Sequence, residues 1–204
     1  DVIGVGSADG YKGAGITGNH LPVNSAMGTR FYNIAFRPLT AADIMTLTSS
    51  NQAVEFHGCV FDANGAATAV SAIDATASNF LKIRNCEFHG AFSGDVIDIG
   101  AGVADSTVIK DNIIMGGAND GIVFTGAPTV SGARYMLIAD NLIQVALSVI
   151  NDGGHAVCFI ANNTCRSGTS IGSAYTIDDD WGANNVIAAT DEVKAVPQLT
   201  NVVS

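Results

Sequence analysis

The chain has 204 residues, of which 48% are hydrophobic and only 14% charged, a balance that suits one apolar core and disfavours a helical bundle. The formal net charge is −10, from 9 basic and 19 acidic residues, which disfavours nucleic acid and anionic membrane surfaces as partners. The sequence contains no run of about 18 or more apolar residues, so we expect no membrane insertion.

Residues 2–6, Val-Ile-Gly-Val-Gly, are typical of a β-strand, and we expect the given sequence to begin partway along that strand. Because the first residue is Asp1 rather than Met, we expect that further residues precede it and that a signal peptide would not be visible.

From Phe31 onward, one six-residue motif recurs six times in the form apolar, any, Asn/Asp/Gly, any, any, apolar. It occupies residues 31–36, 56–61, 83–88, 109–114, 138–143 and 160–165. Its third position falls at Asn33, Gly58, Asn85, Asp111, Asp140 and Asn162, at intervals of 25, 27, 26, 29 and 22 residues. Recurrence at this spacing indicates a solenoid, whereas a sandwich of antiparallel strands would show turns about every 8–12 residues.

The third position of the motif is where we expect the backbone to turn in the left-handed conformation, which Asn, Asp and Gly tolerate. The fourth position is asparagine in the last three motifs, at Asn112, Asn141 and Asn163. Stacked asparagines can hydrogen-bond to one another, so we predict an asparagine ladder along the coils.

Apolar residues alternate around each motif, which predicts strands with one face turned inward. A further strand is predicted in each coil, at 44–47, 70–75, 96–99, 122–124, 147–150 and 175–177, with glycine-rich loops such as 116–121 between strands. We therefore predict an all-β fold, a right-handed single-stranded parallel β-helix of about seven coils of about 22–29 residues. One domain spans 1–204, with an opening coil and loop at 1–30, regular coils at 31–182 and a terminal cap or tail at 183–204.

Four cysteines fall at inward or turn positions of this repeat, at Cys59, Cys86, Cys158 and Cys165. They have no CxxC spacing and no paired histidines nearby, so we interpret them as small buried apolar residues and expect no metal site. His20, His89 and His155 stand apart from one another, and we expect them in loops or on the surface.

The corner motif resembles the parallel β-helix repeat that pectin-lyase-like proteins share with bacteriophage tailspikes, over about residues 30 to 180. The opening strand is also similar to the first-coil strand of such proteins. The charge-poor, Ala/Gly/Ser/Thr-rich texture is most like that of bacteriophage tailspike and decoration proteins, a resemblance that implies a homotrimer. The motif specifies the fold and leaves the function open.

The enzyme signatures of that family are incomplete in this chain. Arg37-Pro38 lacks the second arginine of the lyase motif, and there is no Arg-x-Lys pair of the hydrolase type. His155 precedes Asp179 and Asp180, which is the reverse of the hydrolase order. We therefore assign no catalytic residue and no cofactor, and we expect that the chain is not an enzyme.

One candidate site is the cluster Asp178, Asp179, Asp180 and Trp181 near the end of the coils. It could bind a glycan, with the tryptophan stacked on a sugar ring, or hold a calcium ion. The alternative is an acidic turn whose tryptophan caps the last coil.

A second candidate is an outward row at the second position of the motif, formed by Tyr32, His57, Arg84 and Lys110. Stacked strands would place these side chains about 5 Å apart in a column. The column could contact a neighbouring subunit, a capsid surface or an anionic glycan; the alternative is solvated charge that discourages edge pairing.

The hypothesis that these observations favour is a structural bacteriophage virion protein on the virion surface. It would be a β-helix of a capsid decoration, tail spike or tail fibre that assembles with itself and with other virion proteins. Two alternatives stay open: a polysaccharide lyase or glycoside hydrolase such as a tailspike depolymerase, and a noncatalytic adhesin that binds cell-surface polysaccharide.

Overall fold

The computed structural model describes residues 2–3, 15–20, 28–48, 52–64, 67–75, 80–100, 106–117, 119–125, 136–146, 150–151, 158–167, 175–176, 186–188 and 193–195. None of these residues is helical, and 22 short strands, numbered β1 to β22 along the chain, account for the regular structure. The all-β prediction is therefore confirmed. In these segments no helix is long and apolar enough to cross a membrane.

The strands form three sheets, and successive turns of the chain contribute one strand to each sheet. Sheet A contains β1 (Val2–Ile3), β3 (Arg30–Tyr32), β6 (Glu55–His57), β9 (Lys82–Arg84), β12 (Val108–Lys110), β15 (Met136–Ala139) and β18 (Cys158–Ala161). Sheet B contains β2 (Gly15–Thr17), β4 (Ala35–Arg37), β7 (Val60–Asp62), β10 (Glu87–His89), β13 (Ile113–Gly117), β16 (Leu142–Val145), β19 (Thr164–Ser167), β21 (Val186–Ala188) and β22 (Val193–Ala195). Sheet C contains β5 (Met45–Thr46), β8 (Ile73–Ala75), β11 (Ile97–Gly100), β14 (Ile122–Thr125), β17 (Ile150–Asn151) and β20 (Tyr175–Thr176).

Among the described strands, every pairing is parallel except that of β21 with β22, which is antiparallel. The chain is thus a stack of parallel strands, a β-solenoid. About four turns, between Arg30 and Thr125, are described through all three of their strands.

The predicted corner between sheets A and B is present in every motif. Its third-position residues, Asn33, Gly58, Asn85, Asp111, Asp140 and Asn162, have φ angles between 52° and 60°. This is the left-handed region that the residue types indicated, so the prediction is confirmed at all six positions.

A second left-handed corner lies five residues before the first and leads into sheet A. It is formed by Gly28, Ala53, Phe80 and Ser106, with φ angles between 50° and 70°. This corner was not predicted, because these four residues share no chemistry and only glycine adopts the conformation without strain.

The core is built from inward rows that stack coil on coil, as the alternation predicted. The closing position of the motif is fully buried at Phe36, Phe61, Phe88, Ile114 and Ile143. The rings of Phe61 and Phe88 are parallel within 4° at 4.9 Å, and those of Phe36 and Phe61 are stacked at 5.2 Å. Stacking of like residues thus stabilises one coil against the next.

The predicted asparagine ladder is also present, and its members are buried. Asn112 Nδ2 donates to Asn141 Oδ1 at 3.0 Å, and Asn141 Nδ2 donates to Asn163 Oδ1 at 2.9 Å. The free cysteines Cys59 and Cys86 occupy the same motif position in earlier coils and are 0% and 1% exposed, as expected for small buried residues. The side chains of Cys158 and Cys165 lie outside the described residues.

The structure differs from the predicted strand bounds in sheets B and C. Residues 116–121 were expected as a loop, but β13 extends through Gly117, with a register shift between Met115 and Gly117. The shift marks a β-bulge, and Gly116, at φ +94°, provides the left-handed residue that it needs. In sheet C, β8 begins at Ile73 rather than at residue 70.

Candidate functional site: the outer face of sheet A

The predicted outward column is formed on sheet A. Tyr32 pairs with His57, His57 with Arg84, and Arg84 with Lys110, each residue directly in register with the next. The Tyr32 and His57 rings are stacked at 5.0 Å with an interplanar angle of 12°. Parallel pairing without a shift therefore brings together the four residues that the sequence singled out.

A second outward column, two residues earlier on the same strands, was not predicted. Arg30 pairs with Glu55, and Glu55 pairs with Lys82. Arg30, Lys82, Arg84 and Lys110 are four of the nine basic residues of the chain, and all lie on this one face. The outer face of sheet A is thus a basic surface on a protein of net charge −10.

Glu55 is the centre of an ion-pair cluster on this face. Its carboxylate lies 2.7 Å from Lys82 Nζ, 3.0 Å from His57 Nε2 and 3.4 Å from Arg30 Nε. Burial, the largest influence, disfavours the charge, but the bonds to Lys82 and His57 outweigh it and lower the pKa of Glu55 to about 2. Glu55 could not be predicted as a site residue from the sequence, because a single glutamate between Arg30 and Lys82 does not form a recurring pattern.

Lys110 is also paired, which reduces the positive charge that the sequence suggested for the column. Its Nζ lies 3.6 Å from Asp111 and 3.4 Å from Asp140, which are corner residues of its own coil and of the next. These two aspartates were predicted only as corner residues, and their pairing with Lys110 was not.

Arg84 has a different environment. In the part of the chain that the structure describes, it forms no ion pair, and its Nε is buried without a hydrogen-bond partner. Its in-register neighbours are His57 and Lys110, and Lys82 lies on the same strand. An uncompensated guanidinium among basic side chains attracts an anionic group.

The outer side of sheet C has the opposite charge. The described stretches 40–48, 67–75, 92–100 and 119–125 contain Asp43, Asp74, Asp95, Asp98 and Asp120 and no Lys, Arg or His. Asp74 and Asp98 are in register on adjacent strands. Burial and then the charge of Asp74 raise the pKa of Asp43, and burial and then the charge of Asp120 raise that of Asp95. Mutual repulsion of these carboxylates makes the surface receptive to cations.

The expected isolated histidines are placed differently from one another. His20 is partly buried, and its ring packs edge-on against Phe36 at 5.6 Å. His89 lies in β10 rather than in a loop, but its side chain is 36% exposed, as expected for a surface position, and its Nε2 is 2.7 Å from Glu87. His155 lies outside the described residues.

The other candidate cluster, Asp178, Asp179, Asp180 and Trp181, also lies outside the described residues, so its site and cap interpretations both stay predictions. Within the described segments, no group of three or more His, Cys, Asp or Glu side chains is arranged to hold a metal ion.

Comparison of the chain with models of protein families, with curated proteins and with solved structures finds no match in any of the three. Inference about function therefore depends on the two charged faces and on how the coils are held together.

Proposed function

We propose that the chain is a structural protein of a bacteriophage particle, a β-helix of a capsid decoration, tail spike or tail fibre on the virion surface. It acts through assembly, as a homotrimer in contact with other virion proteins. We also propose that the solenoid is right-handed and has about seven coils, like the repeat that the motif resembles.

The observation that carries this proposal is that the described charged side chains join one coil to the next. Four of the ion pairs join consecutive coils: Arg30–Glu55, Lys82–Glu55, Arg37–Asp62 and Lys110–Asp140. The buried asparagine ladder joins the coils of Asn112, Asn141 and Asn163 in the same way. Polar groups that lock neighbouring turns together favour a stiff rod that bears load or presents a surface.

The test is to locate the chain in an assembled particle. An antibody raised against the purified chain should label intact phage particles in negative-stain electron microscopy, and the chain should be found in their protein composition by mass spectrometry. Particles without the chain would contradict the proposal, as would a purified monomer that cleaves a polysaccharide.

A further inference from the structure

We propose that copies of this chain assemble side by side, with the outer face of sheet A of one copy against the outer side of sheet C of the next. This inference rests on the proposed structural function and specifies the contact through which the trimer forms. The partner of the basic face is thus a second copy of the same chain.

Charge complementarity favours this pairing. The outer face of sheet A has Arg30, Lys82, Arg84 and Lys110, of which only Arg84 has no ion pair among the described residues, and the outer side of sheet C has five aspartates and no described basic residue. Contact between two basic faces, or between two acidic sides, would place like charges together. Unlike faces therefore meet, which makes the interface heterologous.

The spacing of the two surfaces is also matched. Arg84 and Lys110 are one coil apart on sheet A, and Asp74 and Asp98 are one coil apart on sheet C. Both repeats are set by the distance between neighbouring strands, about 4.8 Å. A cation column of one copy can therefore face a carboxylate column of the next over several coils.

Arg84 is the residue whose charge such a contact would stabilise most. It has no ion pair within its own chain among the described residues, and its planar guanidinium suits a two-point bond to a carboxylate. The aspartates gain as well, because a facing cation offsets the repulsion within their own cluster. A heterologous contact closes into a ring when the rotation between copies closes, and the proposed ring has three copies.

The experiment measures molar mass by size-exclusion chromatography with multi-angle light scattering, at micromolar concentration and moderate salt. The wild-type chain should be a trimer. Arg84→Glu and Asp98→Arg should each be monomeric, with at least a tenfold weaker association, and the double variant Arg84→Glu/Asp98→Arg should regain the trimer. Lys194→Glu, a charge change on a strand of sheet B, is the matched control and should stay trimeric.

Circular dichroism and thermal melting confirm that each variant is folded before its mass is compared. If the wild type is a trimer and both single variants stay trimeric, this interface is wrong while the proposed structural function is unaffected. If the wild type is a monomer that binds dextran sulfate through Arg84, the basic face serves a polyanion and the inference is overturned. Presence in the particle, measured separately as above, decides the proposed function.

Discussion

Glu55 shows how much a single side chain contributes to the stability of the fold when it forms ion pairs with both neighbouring coils. It is 9% exposed, and its partners Arg30 and Lys82 come from the coils on either side of its own. Removing it would leave the partly exposed side chains of Arg30 and Lys82 close together without their common anion.

We expect Glu55→Gln to lower the free energy of unfolding at neutral pH by about 2 kcal/mol. The folded pKa of about 2 lies below the usual 4.5, so the carboxylate stabilises the fold above pH 4.5. This contribution is lost as the pH falls toward 2, and wild type and variant should converge there in urea titrations.

The matched control is Glu87→Gln. Glu87 likewise precedes a histidine by two residues in a strand, but its side chain is 48% exposed. We expect a loss of under about 0.5 kcal/mol for this exposed pair. Equal losses for the two variants, at all pH values, would contradict a special role for Glu55.

Ala53 tests the second left-handed corner. Its φ angle is +55°, a conformation that costs a residue with a Cβ about 1–2 kcal/mol. We expect Ala53→Gly to raise the thermal midpoint, because glycine removes that strain. Ala35→Gly, in the regular strand β4, should lower it. A fall of similar size in both variants would show that the corner is not strained.

At the scale of the element, the connections between sheets decide whether the coils can stack. The asparagine ladder provides hydrogen-bond partners for backbone groups at the corner between sheets A and B. Asn112 Oδ1 accepts from the Cys86 backbone N–H at 2.8 Å, and its Nδ2 donates to the Ile83 carbonyl at 3.0 Å. Backbone groups that are buried at a corner would otherwise have no partner.

We therefore expect Asn112→Ala to lower the free energy of unfolding by about 3–5 kcal/mol, since it orphans two buried backbone groups and interrupts the ladder. Asn119→Ala, an exposed asparagine of the same coil, should change it by under about 0.5 kcal/mol. Chemical denaturation of both variants gives the comparison. A small effect at Asn112 would mean that the ladder adds little.

Gly116 tests the β-bulge of sheet B. A Cβ at this position would meet the carbonyl oxygen of Gly90 in the coil below, and φ is +94°. Gly28 has a similar φ of +70°, but a Cβ there would meet nothing within 4 Å. We expect Gly28→Ala to cost about 1–2 kcal/mol, the conformational strain alone, and Gly116→Ala clearly more. Equal costs in denaturant titrations would rule out close packing at the bulge.

For the whole molecule, the repeat made the fold predictable from the sequence. Each motif carries the same corner chemistry at its third position, and the inward rows follow from alternation, so both could be predicted. In-register parallel stacking then turned four separated residues into one column on sheet A.

What could not be predicted depends on contacts between coils. Glu55 is an ordinary glutamate until the stacking places Arg30 and Lys82 beside it. Phe80 adopts a left-handed corner conformation, at φ +59°, that its residue type does not indicate. The acidic side of sheet C is dispersed along the sequence and becomes one surface only when the coils are superposed.

The most direct test of the account is whether successive coils pair in parallel and in register. Nuclear Overhauser contacts between backbone protons should connect Ile83 with Ile109 and Ile109 with Ile138, and the Asn112 amide group should contact that of Asn141. Contacts that run in opposite chain directions between these segments, as in antiparallel hairpins, would contradict the solenoid and every surface derived from it.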